Sequence, residues 1–120
     1  MLCNEYGLDA ISVPCTIAAA MELYQRGAIK EEDCAGAPLE WGNTHALIEW
    51  TKRMGDPKTE LDWLMSSGSA RLCEHYGMPE VSMSVKKQEM PAYDARGVQG
   101  IGITYATSNR GGCHVRGYTI

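Results

Sequence analysis

A histidine lies between two arginines in a glycine-rich stretch, TSNRGGCHVRGY, at residues 107–118. Neighbouring cations disfavour an imidazolium, so Arg110 and Arg116 predict a His114 ring that is neutral near pH 7 and able to accept a proton. Glycines at 111, 112 and 117 predict a loop with positive φ that approaches a partner closely. The alternative is a structural histidine that donates to a backbone carbonyl, with the arginines solvated or paired with carboxylates.

An aspartate follows a glycine turn near the start of the chain, in NEYGLDAIS at residues 4–12. Apolar residues then recur three and four positions apart, which predicts a helix up to Gly27. Because Pro14 is tolerated only in a first helical turn, we expect the regular helix to begin nearer Val13 than Asp9. Asp9 is therefore predicted at a helix entrance, where its carboxylate can act as the N-cap.

The rest of the chain is also predicted to be mainly helical, around a small core, with a long connection over residues 78–94. The stretch VSMSVKK at 81–87 alternates weakly and is the strand candidate. Gly97, Gly100 and Gly102 each cost a helix roughly 1 kcal/mol relative to alanine, which indicates close approach of another backbone or a flat ligand. The further predicted helices run from Asn43 or Thr44 to Met54 (with Leu47, Ile48, Thr51 and Met54 on one side), from Asp56-Pro57 through Met65 (with Leu61, Leu64 and Met65 inward), from Ser69 to Tyr76, and from Ala95 to Thr107.

Composition limits the classes of function. A chain of 120 residues that is 44% hydrophobic predicts one domain, and no run approaches the roughly 18 apolar residues of a membrane span. The five cysteines are widely spaced and never form C-x-x-C, so we expect reduced thiols and no zinc or iron–sulfur site built from local ligands. No secretory signal precedes the first helix, and a cytoplasmic location is expected.

Charge is distributed unevenly along the chain. Five basic and two acidic residues give residues 86–116 a net charge of +3, whereas the whole chain carries −4. The C-terminal third is therefore predicted to face something anionic. An acidic total without an aromatic-interleaved basic stripe argues against nucleic acid, and a phosphate-bearing small molecule fits better.

Three blocks in this order, NEYGLDAIS, EMPAYDARG and YATSNRGGCHVRG, resemble the tungsten-containing aldehyde:ferredoxin oxidoreductases, and the resemblance covers almost all 120 residues. It implies that residues 1–120 are a multi-helical partial domain from the helical region of that large subunit. The family's D-x-x-G-L-D motif, which lies along one pterin, is matched by Asn4, Gly7, Leu8 and Asp9, with Asn4 in place of the first carboxylate. Asp9 would then accept hydrogen bonds from the pterin ring edge.

The same resemblance assigns a role to the histidine stretch. Cys113, His114 and Arg116 match a C-H-x-K/R block, so His114 is expected beside the metal as a catalytic proton carrier, and Arg116 on the anionic cofactor. Pterin sulfurs hold tungsten in this family, so no protein ligand to the metal is expected and Cys113 is assigned to packing.

The implied parent enzyme oxidises an aldehyde with water to a carboxylic acid, using a bis-pterin tungsten centre and a [4Fe–4S] cluster that reduces ferredoxin. The family's cluster-binding cysteine run is absent, so we expect this segment alone to hold no cofactor and to be inactive. Its expected partners are the remaining domains of the same subunit and, in a homo-oligomer, a second copy, with neither nucleic acid nor membrane. The alternatives are a relative that acts on an aromatic thioester, or a non-catalytic helical domain that binds a protein through Trp41, Trp50 and Trp63.

Overall fold

The computed structural model describes residues 1–118, which form short helices and one β-hairpin. This confirms the predicted mainly α fold class. Three 3₁₀ turns, at Glu31–Cys34, Pro79–Val81 and Val115–Gly117, connect or follow the regular elements within these residues. The regular elements are α1 (Leu2–Glu5), α2 (Ser12–Gln25), α3 (Thr44–Gly55), α4 (Glu60–Ser66), α5 (Ser69–His75), β1 (Ser84–Val85), β2 (Gln88–Glu89) and α6 (Gln99–Thr107).

Helix α2 forms the centre of the core and packs against α5 and α3. Its inward face, including Val13, Ile17 and Leu23, is almost fully buried, as the apolar spacing predicts. Pro14 lies in the first turn, where its missing N–H leaves no helical hydrogen bond broken. Gly27 ends the helix with a φ of +76°, so the predicted bounds of this helix are confirmed.

Helix α3 begins as predicted, because the Asn43 side chain accepts a hydrogen bond from the Ala46 N–H at 3.1 Å. The predicted inward face is only half right. Thr51 and Met54 are buried, but Leu47 and Ile48 are 41% and 45% exposed. The buried stripe instead runs through Ala46 and Trp50, one position before Leu47 and two positions after Ile48.

Helix α4 starts later than the Asp56-Pro57 pair predicts. Thr59 and Asp62 form a reciprocal capping box, in which the Thr59 hydroxyl accepts from the Asp62 N–H at 3.2 Å and the Asp62 carboxylate accepts from the Thr59 N–H at 2.9 Å. A box that satisfies two helix-end donors defines the start more strongly than a proline. Leu61 and Met65 are buried as predicted, and Leu64 packs against the core from a half-buried position.

Helix α5 has nearly its predicted bounds, whereas α6 begins at Gln99 and not at Ala95. Val98 is extended, with a φ of −128°. The close approach expected at the glycines exists at Gly102, where an added Cβ would lie 2.9 Å from the Ala95 carbonyl oxygen. The neighbouring backbone there is the segment that leads into the helix, so a flat ligand is not needed to explain Gly102.

The weak strand candidate forms a hairpin of only two residues on each side. Val85 pairs with Gln88 in antiparallel register, and Lys86 and Lys87 make the turn with φ values of +53° and +63°. Two successive left-handed residues match the right-handed twist of a hairpin. None of the helices among residues 1–118 is long and apolar enough to cross a membrane.

Candidate functional site

The turn before α2 fixes the first site residue, Asp9. Its carboxylate accepts a hydrogen bond from the Ser12 N–H at 2.8 Å, and its carbonyl accepts one from Val13 at 3.1 Å. Partial burial raises the pKa of Asp9, but hydrogen bonds from Ser12 and the Ile11 backbone outweigh it and leave the pKa below its usual 3.8. The N-cap position is Ile11 and not Asp9 as predicted, but Asp9 still satisfies the N–H of the first helical residue, Ser12, and presents an exposed carboxylate.

The second site residue, His114, is carried by residues 108–114, which we call the histidine loop. This loop lies on the hairpin, because the Gly112 N–H donates to the Val85 carbonyl at 3.2 Å. An added Cβ on Gly112 would lie only 2.7 Å from the Gln88 carbonyl oxygen. Contact with β2 therefore explains the glycine at 112.

The positive φ that the glycines of this stretch permit is adopted at Gly111, at +103°. Gly117 is required for space, because an added Cβ would clash with the Thr104 side chain. The partner that this backbone approaches is the protein's own hairpin and α6. Glycine spacing alone indicates close approach but does not identify what is approached.

The turn that carries Asp9 and the histidine loop that carries His114 are far apart in the sequence. Both line one pocket of about 280 Å³, which we call the site pocket. Asp9 lines it from the entrance of α2, and Arg110, Cys113 and His114 line it from the histidine loop. Glu89 contributes a third wall from β2. The structure therefore brings Asp9, Arg110 and His114 to one cavity with a mixed polar and apolar lining. The Glu89 carboxylate itself is buried and bonds to Ser69 and Thr16.

His114 also faces a second pocket. This pocket, of about 540 Å³, shares Ile11, Pro91 and His114 with the site pocket and is otherwise lined mainly by small apolar side chains and Tyr93. The ring centroids of Tyr93 and Tyr118 lie 5.9 and 6.1 Å from that of His114. Among residues 1–118, no hydrogen bond joins the imidazole to a backbone carbonyl, so the described contacts do not support the structural alternative.

Cys113 differs from the other cysteines in its electrostatic surroundings. A hydrogen bond from the Val115 backbone lowers the pKa of its thiol; burial opposes this, and the Arg116 backbone and the charges of Arg110 and Arg116 lower it further. The net pKa lies below its usual value even though the side chain is only 4% exposed. By contrast, burial raises the pKa of Cys73 to about 11.

Some sequence-predicted residues do not line the site pocket. Asn4 is exposed in α1 and Gly7 is exposed just after it, Leu8 packs against the core, and Arg116 is exposed in the last 3₁₀ turn. In the other direction, sequence reasoning missed Glu89, which is 5% exposed. The available signal was its place as the first residue of the EMPAYDARG block.

Metal ligands are not grouped in the part of the chain that the structure describes. Among residues 1–118, no cluster of three or more histidine, cysteine, aspartate or glutamate side chains could hold a metal ion. All five cysteines are free thiols. The polar groups of the site pocket are suited to hydrogen bonding and charge pairing with a bound molecule.

Comparison with known proteins gives a consistent result. A family model described as aldehyde ferredoxin oxidoreductase, domains 2 and 3, matches residues 1–120. The chain is 51% identical over 120 residues to the tungsten-containing aldehyde ferredoxin oxidoreductase of Pyrococcus furiosus, and 50% identical over 119 residues to that of Thermococcus kodakarensis. These alignments cover 99% and 98% of this chain and 20% of each relative, so the chain spans about a fifth of the length of the relatives it matches.

Proposed function

The chain belongs to the aldehyde ferredoxin oxidoreductase family, and from that premise we propose that it is one segment of a cytoplasmic tungsten enzyme that oxidises aldehydes to carboxylic acids. In this reaction the aldehyde C–H bond breaks and a C–O bond to an oxygen from water forms. Two electrons and two protons are released, and in the whole enzyme a [4Fe–4S] cluster would supply the route for the electrons to ferredoxin. The remaining domains of the subunit are needed for turnover, so residues 1–120 alone are inactive and hold no cofactor.

A bis-pterin tungsten centre, when bound by the whole enzyme, would supply the two-electron chemistry. The site pocket fits part of such a group. The Asp9 carboxylate can accept two N–H bonds from a pterin ring edge, and a guanidinium such as that of Arg110 binds anionic oxygens strongly. Contacts from Asn4, Gly7, Leu8 and Arg116 to the same cofactor rest on the family motifs alone.

His114 is the proposed proton carrier. His114 lines both the site pocket, which also contains charged residues, and the more apolar second pocket, so it can reach a polar reacting group on one side while an apolar substrate group occupies the other. An imidazole nitrogen in that position can accept a proton as the aldehyde is oxidised and return it to solvent. The observation that supports this proposal is the joint lining of one pocket by Asp9 and His114.

The test uses the full-length protein that contains this chain. His114→Ala should retain tungsten and fold normally but lose aldehyde oxidation by about 10²- to 10⁴-fold, the usual contribution of a general acid or base. His45→Ala is the matched control, because His45 is exposed in the first turn of α3, and it should leave turnover unchanged. Normal turnover in the His114→Ala enzyme at full tungsten content would remove this residue from the mechanism.

The helical interaction domain is a second candidate, favoured by the exposed fractions of Trp41 and Trp63, 54% and 62%. Trp50 does not contribute to such a surface, since it is fully buried and donates to the Ala37 carbonyl at 2.9 Å. Wild-type full-length protein that contains no tungsten and oxidises no aldehyde would favour this candidate. Reduction of an aromatic thioester without aldehyde oxidation would indicate the thioester-reducing branch of the family.

A further inference from the structure

Glu89 is a buried carboxylate that joins three elements. One of its oxygens, Oε1, accepts hydrogen bonds from the Ser69 N–H at 2.7 Å, from the Ser69 hydroxyl at 2.9 Å and from the Thr16 hydroxyl at 3.5 Å. Thr16 belongs to α2 and Ser69 begins α5, whereas Glu89 itself is in β2. A single side chain therefore connects the hairpin to the two helices that pack most closely in the core.

The backbone around this carboxylate leaves room for it. Gly68 has a φ of +92°, and an added Cβ there would lie 2.9 Å from Glu89 Oε1. Within residues 1–118, no lysine, arginine or histidine forms an ion pair with Glu89. Burial of a carboxylate that is only 5% exposed and has no ion-pair partner costs free energy, and hydrogen bonds to its oxygens offset part of that cost. This suggests a role beyond filling the core.

The main chain at Glu89 supports the histidine loop. An added Cβ on Gly112 would lie 2.7 Å from the Gln88 carbonyl oxygen and 3.2 Å from that of Glu89. The carbonyls of β2 thus form the surface on which the loop rests, and α2, held by the same glutamate, carries Asp9 at its entrance. Movement of β2 relative to α2 would change the separation of Asp9 and His114.

We propose that Glu89 is a positioning residue that holds β2 against α2 and α5 and thereby keeps His114 of the histidine loop opposite Asp9. The catalytic consequence rests on the proposed function; the mechanical role does not. A glutamine at this position keeps the Oε1 acceptor that receives all three hydrogen bonds, but it carries no charge, and hydrogen bonds to a neutral acceptor are weaker than those to a carboxylate. Glu89→Gln should therefore loosen the connection without removing it.

The experiment compares two buried carboxylates in the full-length protein. Asp62 is 3% exposed and accepts backbone N–H bonds from Lys58 and Thr59 at 3.0 and 2.9 Å, but it belongs to α4 and does not line the site pocket. Asp62→Asn is therefore the control for general loss of stability. Hydrogen exchange of the peptide covering residues 108–116 is measured by mass spectrometry in Glu89→Gln, Asp62→Asn and wild-type enzyme.

In Glu89→Gln we expect the loop amides to exchange roughly tenfold faster, because local opening becomes easier when its hydrogen bonds weaken. We also expect kcat to fall about five- to tenfold at nearly unchanged KM, since misplacement of a catalytic group affects the chemical step. Asp62→Asn should show neither change. Equal loop exchange in the two variants would overturn the inference.

A second variant covers the case in which Glu89→Gln does not fold. Thr16→Val has nearly the same shape and removes only the bond between Glu89 and α2, so it should increase loop exchange by about two- to threefold. No increase would contradict the positioning role. The result for His114→Ala decides the proposed function separately: an active His114→Ala enzyme together with a loosened loop in Glu89→Gln would leave the mechanical role intact and reject the catalytic one.

Discussion

Replacement of Gly112 by alanine tests how tightly the histidine loop, which carries His114, must pack against β2. The added Cβ would lie 2.7 Å from the Gln88 carbonyl oxygen, whereas ordinary contact begins at 3.4 Å, so the loop and β2 must separate by about 0.7 Å. Both groups belong to backbones that cannot rotate away as a flexible side chain could. Overpacking of this kind typically costs about 1–3 kcal/mol of stability, and displacement of a catalytic group by about 1 Å can cost 10²-fold in rate.

We therefore expect the full-length Gly112→Ala enzyme to fold and bind tungsten but to oxidise aldehyde about 10- to 100-fold more slowly. Tungsten is measured by elemental analysis, folding by thermal unfolding, and turnover by steady reduction of ferredoxin. Gly97→Ala is the matched control, because its added Cβ would meet only the Asp94 carbonyl oxygen, at 3.6 Å. Wild-type turnover in Gly112→Ala would show that catalysis does not depend on the position of the histidine loop relative to β2.

Two further predictions use the pKa values. Burial raises the pKa of Cys73 to about 11, whereas the pKa of Cys113 is lowered. At pH 8 iodoacetamide should therefore modify Cys113 about tenfold faster than Cys73, as measured by peptide mapping. Equal rates for the two thiols would contradict this prediction. The pKa of Asp9 is lower in the folded protein than its usual value of 3.8. The ionised Asp9 carboxylate therefore stabilises the fold fully above pH 3.8, and this stabilisation is lost only as the pH falls through the lower pKa of the folded state. Asp9 should therefore stay ionised down to about pH 4, and amide protection at the start of α2 should persist to that pH. Loss of this protection already near pH 6 would contradict the lowered pKa of Asp9.

Local signals in the sequence predict the helices well where one residue determines a boundary. Asn43 caps α3 and Gly27 ends α2, because each satisfies or permits a specific backbone geometry. The Asp56-Pro57 pair gave the wrong start for α4, since the Thr59–Asp62 capping box competes with it and satisfies two donors. Leu47 and Ile48 are exposed although they lie beside a buried stripe, and periodicity in a single chain cannot distinguish such a face from a core face.

The site itself was predictable at its two ends but not between them. Asp9 and His114 stand in stretches of unusual composition, and the family motifs mark both. Glu89 begins the EMPAYDARG block, but that block does not indicate its role, because the Glu89 carboxylate bonds to donors on Thr16 and Ser69 that are distant in the sequence. The cause of the glycine at 112 is likewise a long-range contact with β2, which no local pattern could reveal.

The two walls of the site pocket are far apart in the sequence, and this separation determines when the pocket can form during synthesis of the chain. Asp9 leaves the ribosome about a hundred residues before His114, so the emerging polypeptide presents a half-built cavity for several seconds at ordinary elongation rates of about 5–20 residues per second. The contacts within α2 to α5 can form in that interval, whereas the cavity closes only when the last loop reaches the hairpin. Under the proposed function, the cofactor could bind this pocket only after the whole segment had been synthesised, because a chain that stops before residue 110 lacks the Arg110, Cys113 and His114 wall.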